Sequence, residues 1–344
     1  MNIDFSEISY IQDPSDSELK ADYQQFLLSL IGPTIIDITG KNNKKTRVFT
    51  TLMQGDEPSG LAAIHRWLTQ DWQDEKPETN VRFIIVSVEA ASKNPIFSQR
   101  HLKDGLDINR CFNSGLKHGY FQRANLIDSA IRSVNPDCVI DIHNTSGNSP
   151  SFTVAKSACS VTLNLASVFS DTLILSGISH GALTEQSFDC PTLTIEAGSH
   201  LDQQSYELLY QGISQITSTP CLCQLNSSNV VKVLNKPYRL VLQTDSTLSF
   251  NNEDLGNEGV TIKNTIEQFN FGSANSGQII GWLDSEGFDH LQLLDESNED
   301  RIEDFLQIRE NKLLLKENVL IFKATTSIDL AKNDCIFYLL RSLA

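Results

Sequence analysis

Four short stretches of the chain carry residue types that could do chemistry together. The first is "MQGDEPSG", residues 53 to 60, where a β-branched run ends and a polar loop presents Gln54, Asp56 and Glu57 just ahead of a helical pattern. A metal-binding loop of this shape normally has a His where Gln54 stands, so this is either a site with a substituted ligand or the shell of one. The second is "DIHNTSGN", residues 141 to 148, at the end of an apolar run. Side chains alternate along a strand, so Asp141 and His143 share a face, and a carboxylate two residues before a His can orient its imidazole. Such a His is either a metal ligand or a satisfied polar residue at a strand end. The third, "RHLKDGLDINRCF", holds Arg100, Asp107, Asn109 and Arg110. Two arginines this close in an acidic chain form either a bidentate clamp for a carboxylate or surface salt bridges. The fourth, "TLTIEAGSH", leaves Glu196 near the end of an otherwise apolar strand, as a desolvated general base or as the partner of a buried cation.

The elements that must position these groups alternate in type. Strands are expected at 34–39, 47–53, 81–88, 138–143, 151–156 and 192–198, and helices at 17–31, 59–73, 117–134, 157–169 and 201–219. Strands apolar on both faces and separated by helices imply an α/β fold with a parallel or mixed sheet covered by helices on both sides. After Cys223 the texture changes to short β-rich segments, "VVKVL", "YRLVLQT", "GQIIGWL", "KLLLK" and "VLIFKA", punctuated by Gly, Asn, Asp and Ser. That shift predicts a domain boundary at 222–228: one domain over residues 1–222 and a smaller all-β domain over 223–344.

Composition narrows the function classes. With 27 Lys plus Arg against 43 Asp plus Glu, the 344-residue chain has a net charge of -16. This field repels phosphate backbones and anionic membranes, so neither nucleic acid nor a membrane is expected as a partner. An anionic substrate must be drawn in by local arginines. The acidic first thirty residues have no secretory pattern, and the seven cysteines are expected as reduced thiols of a cytoplasmic protein, with Cys221 and Cys223 as packing residues. Oligomeric state is not encoded in any of these features.

Taken in order, "MQGDEPSG", "R…DINRCF", "DIHNTSGN" and "TIEAG" resemble the succinylglutamate desuccinylase and aspartoacylase family, a branch of the zinc carboxypeptidase-like fold. The corresponding family pieces read approximately HGNE, R…DLNR, DLHNT and IEVG. The resemblance covers about residues 45 to 200 by motif. It implies a carboxypeptidase-like three-layer sandwich around a mixed sheet. It also implies Glu57 and His143 as zinc ligands with Gln54 at the first His position, Glu196 as general base, Arg100 as oxyanion stabiliser, and Asn109 with Arg110 as the clamp for a substrate carboxylate. His65, His101, His118, His180, His200 and His290 match no motif position. The activity implied is hydrolysis of an amide bond in an N-acyl amino acid or similar small carboxylate. Gln54 is the departure: an amide oxygen is a weaker donor to zinc than imidazole. The alternative is therefore a metal-free carboxylate-binding protein on the same fold.

Overall fold

The computed structural model describes residues 3–145, 147–225 and 230–342. The chain divides into two compact units, the first comprising residues up to 144 with 151–173 and 179–233, the second 145–150, 174–178 and 234–344. The expected boundary at 222–228 falls partly on 226–229, outside the described residues.

The large sheet is built from nine strands: β1 (Ser9–Gln12), β2 (Thr34–Ile38), β3 (Asn42–Thr51), β4 (Thr79–Ile85), β5 (Cys138–Thr145), β6 (Phe152–Ala155), β7 (Thr172–Leu175), β8 (Thr192–Ser199) and β9 (Lys232–Asn235), ordered β1-β2-β4-β3-β5-β8-β6-β7-β9. It is mixed: β3 pairs parallel with both β4 and β5, whereas β2 with β4 and β6 with β8 run antiparallel. Alternation sends side chains to two buried faces, as the apolar composition of these strands requires. Val48, Ile84 and Val139 join a core with Ala124, Ile127 and Ile131 of the helix Gly119–Arg132. On the other face Phe49 meets Phe83, and Phe83 meets Trp67 of the helix Ser59–Asp74. The result is helix, sheet, helix.

Two expectations are corrected. The helix anticipated over 17–31 is two short helices, Asp16–Leu19 and Tyr23–Ser29. Lys20 takes a left-handed φ of 63°, and the Asp22 carboxylate accepts from the backbone N–H groups of Gln24 and Gln25, starting a second helix where the apolar spacing alone continues the first. Cys221 and Cys223, expected as packing thiols, are paired as a disulfide, their Cα atoms 5.3 Å apart and inside the range such a bond requires.

The second unit contains two five-stranded sheets. One runs Ser273–Ala274, Val319–Phe322, Phe337–Arg341, Tyr238–Leu242, Leu291–Leu294; the other runs Leu248–Phe250, Val260–Ile262, Ile279–Leu283, Lys312–Leu315, Leu306–Arg309. Its core is separate, with Leu240, Val260, Leu293, Phe305, Leu313 and Phe337 all fully buried. Among the described residues, no helix is long and apolar enough to cross a membrane.

Candidate metal centre

Because β3 and β5 are parallel neighbours, their C-terminal ends lie at the same edge of the sheet, which is where α/β folds place ligands. Just past β3 the buried Leu52 adopts a left-handed φ of 53°, a costly conformation for a branched residue, and it turns the chain into the Gln54–Glu57 loop. Gly55 then donates its N–H to Arg100 O at 2.8 Å. A Cβ at Gly55 would lie 2.6 Å from Gln99 O and 2.7 Å from Ala91 N, so the loop is clamped between two backbones and tolerates no side chain there. The helix that follows opens with Pro58 and Ser59, and Asn144 Oδ1 of β5 accepts the Ser59 N–H at 3.2 Å.

His143 is buried on β5 and held from both sides. Its Nδ1 lies 2.9 Å from Glu57 Oε2 and its Nε2 lies 2.7 Å from Asp141 Oδ2. The other Asp141 oxygen accepts from Thr50 Oγ1 at 2.6 Å, across the β3–β5 register. Burial alone would depress the His143 pKa, but the Asp141 and Glu57 carboxylates override it and hold the imidazole well above its ordinary value. In that protonated form His143 closes its own pairing with Glu57. Loss of the Nδ1 proton exposes a lone pair facing the carboxylate, the state in which an imidazole binds a metal.

Asp107 connects the remaining groups. Its Oδ1 accepts from Asn109 N at 2.9 Å, capping the short turn Ile108–Arg110, and its Oδ2 accepts from Arg100 Nη2 at 2.9 Å. Both oxygens also receive Gln54 Nε2, at 2.9 and 3.1 Å. Burial would raise the Asp107 pKa, yet Arg100 and Arg110 bring it below the usual carboxylate value, so it stays ionised. Arg100 bridges back to the loop, with Nη1 3.3 Å from Glu57 Oε1. Arg110 donates from Nη1 to Asn109 O at 2.9 Å. Asn109 is buried, its Oδ1 accepting Leu183 N at 2.9 Å and its Nδ2 3.4 Å from His143 Nε2. The facing loop sits close: a Cβ at Gly181, whose φ is +87°, would meet Arg110 O at 2.5 Å. Glu196 is buried on β8, in register with Phe152.

The structure thus links Gln54, Glu57, Arg100, Asn109 and His143 through one hydrogen-bonded network, holds Arg110 by its bond to Asn109, and buries Glu196 two strands from β3. Sequence reasoning gave no role to Asp107 or to Asn144, whose backbone N–H donates to Glu57 Oε2 at 3.2 Å and whose Nδ2 donates to Gly198 O at 2.9 Å. The signal for Asp107 was its position two residues before Asn109, an N-cap spacing. His290, outside every motif, groups with Asp284 and Glu286 in the second unit, where its Nε2 is 2.8 Å from Asp284 Oδ1.

The donors of the centre suit a divalent cation. Glu57 and His143 face one another, and Gln54 Oε1 in the same loop is a buried acceptor with no hydrogen-bond partner. Such an orphaned oxygen costs stability unless a ligand answers it.

Comparison with known proteins gives the following. Residues 48–219, half of the chain, match the family described as Succinylglutamate desuccinylase/Aspartoacylase catalytic domain. No curated protein matches the chain. Among solved structures, the chain resembles a succinylglutamate desuccinylase/aspartoacylase from Rhodobacter sphaeroides at 16% identity, with 90% of this chain and 88% of that one covered and a TM-score of 0.58. It resembles murine aminoacylase 3 at 14% identity, with 88% and 97% covered and a TM-score of 0.56. For succinylglutamate desuccinylase from Vibrio cholerae the values are 13% identity, 94% and 95% covered, and a TM-score of 0.59. At these identities the likeness is one of fold: a mixed-sheet, carboxypeptidase-like α/β architecture with additional β-sheets.

Proposed function

Because the chain belongs to the succinylglutamate desuccinylase/aspartoacylase family, we propose that it is a metal-dependent hydrolase cleaving the amide C–N bond of an N-acyl amino acid or a similar small carboxylate. The observation that carries this reading is the buried pairing of Glu57 with His143 Nδ1 at 2.9 Å, with Asp141 fixing the opposite ring nitrogen. Gln54, Glu57 and His143 would hold the metal. A zinc ion bound there supplies a Lewis acid and lowers the pKa of bound water to about 7.

The chain's own residues do the rest. Glu196 accepts a proton from the attacking water as its oxygen bonds to the acyl carbon, and returns that proton to the amine nitrogen as the C–N bond breaks. Arg100 faces the carbonyl oxygen on which negative charge develops, where a preorganised cation is worth most. Arg110, supported by Asn109, receives the substrate carboxylate in a bidentate pair. Five cysteines stand as free thiols, which suits a cytoplasmic setting, whereas the Cys221–Cys223 disulfide does not.

A specific observation favours a second reading. Both nitrogens of His143 already meet carboxylates, and an amide stands where a third strong ligand is expected, which suits a metal-free protein that binds a carboxylate without turnover. The deciding experiment is metal analysis of protein purified without chelator, followed by hydrolysis assays on a panel of N-acyl amino acids. Bound metal with turnover supports the hydrolase. Metal-free protein that binds carboxylates but turns none over, even after metal loading, overturns it in favour of the binding protein.

A further inference from the structure

On the metal-centre reading above, on which this inference rests, the orientation of the Gln54 amide decides which atom meets the ion. The amide of Gln54 has two ends, and only one of them can lie against Asp107. Turning the carbonyl toward that carboxylate would set acceptor against acceptor at about 3 Å, with no proton between them. The ionised Asp107 therefore keeps Nε2, which donates to both of its oxygens at 2.9 and 3.1 Å. Asp107 is itself fixed by Arg100 and by the Asn109 N–H, so it cannot turn to accommodate a reversed amide. The consequence is the orphaned atom: Gln54 is 1% exposed, and its Oε1 has no hydrogen-bond partner.

We propose that Asp107 is a positioning residue that locks Gln54 with its carbonyl oxygen presented to the metal, and that this oxygen makes the centre selective for harder divalent cations than a histidine in the same place would. The donor set becomes one imidazole nitrogen, one carboxylate and one amide oxygen. Carbonyl and carboxylate oxygens suit manganese and magnesium, whereas imidazole suits zinc. Zinc still binds more tightly in absolute terms, as the general order of divalent affinities requires. What changes is the ratio of zinc to manganese affinity, which Gln54 compresses.

The test compares wild type with Gln54→His, Gln54→Met and Asp107→Asn, each freed of metal, checked for folding by thermal unfolding, and titrated calorimetrically with zinc and with manganese. Gln54→Met keeps the side-chain length but removes the oxygen, so both ions should bind at least about tenfold more weakly. Asp107→Asn retains an acceptor for the Asn109 N–H but lets its own amide turn Gln54 over, and affinity for both ions should also fall at least about tenfold, the usual cost of losing an orienting partner. Gln54→His should raise the zinc-to-manganese affinity ratio by at least about tenfold. Unchanged binding in Gln54→Met or in Asp107→Asn, or a ratio in Gln54→His within about threefold of wild type, would overturn the inference and would leave a metal centre held by Glu57 and His143 without Gln54 as an oriented ligand. Failure of the wild type to bind either ion would overturn that reading itself and this inference with it. If Gln54→Met does not fold, cobalt decides. The visible absorption of cobalt-loaded wild type should differ from that of Gln54→His, because a nitrogen replaces an oxygen in the coordination sphere, and identical spectra would overturn the assignment.

Discussion

Asp56 stands between the two loop residues that carry the proposed chemistry, and its carboxyl is held at about 6 by burial first and by the neighbouring Glu57 charge second, with Arg100 opposing. The ordinary value is 3.8, so the folded protein binds this proton more tightly than the unfolded chain does. The sign follows by linkage: the stability associated with the bound proton is fully present below about pH 4 and is lost as pH rises through about 6. A rise of this size corresponds to at most roughly 3 kcal/mol, because one pKa unit is about 1.4 kcal/mol. In Asp56→Asn that loss disappears. Urea unfolding of metal-free protein should find the variant close to wild type near pH 4 and more stable near pH 7, and parallel pH profiles would show that Asp56 is not the source. Glu196 offers a separate test. With metal bound, Glu196→Gln should retain the ion and lower turnover by at least about a hundredfold, the usual contribution of a general base. Loss of the ion would instead make Glu196 a ligand, and unchanged turnover would remove it from the mechanism.

At the level of elements, the loop between β3 and the helix Ser59–Asp74 is fixed by backbone contacts more than by its own side chains. Gly55→Ala should therefore destabilise the protein by about 1–3 kcal/mol, the cost of overpacking, and weaken metal binding, since the added Cβ meets Gln99 O and Ala91 N before anything can relax. Retained melting temperature and metal affinity would show that the loop moves freely. The same loop shows which parts of the architecture were readable in one dimension. The helix after Pro58 was legible because its amphipathic period runs unbroken over sixteen residues. The break in the first helix is not legible because apolar spacing continues across Asp22, while the local competition of that carboxylate for backbone N–H groups leaves no periodic trace. β1 and β7, four residues each, are too short to show a period. Glu57 and His143 could be named in advance because each sits in its own short motif, although they are 86 residues apart. The role of Asp107 could not, because its partner Gln54 lies 53 residues away and nothing local marks the pairing.

For the whole molecule the governing quantity is charge. A net charge of -16 surrounds a centre proposed to receive an anion, so the approach of a carboxylate substrate is opposed at long range and favoured only near Arg100 and Arg110. The two effects act at different distances. At an ionic strength of about 0.01 M the screening length is roughly 30 Å and the whole field is felt, whereas at about 0.15 M it is roughly 8 Å and only nearby charges matter. Salt should then remove more repulsion than attraction, because the arginines are partly buried in the hydrogen-bonded network and are screened less. Raising ionic strength over that range should increase kcat/KM for an N-acyl amino acid by roughly twofold or more, while a neutral amide analogue stays flat. The comparison with the neutral analogue separates steering from any direct effect of salt on the enzyme. A fall in kcat/KM for the anion would mean that the arginines already dominate the potential along the approach, and that the acidic surface lies elsewhere on the molecule.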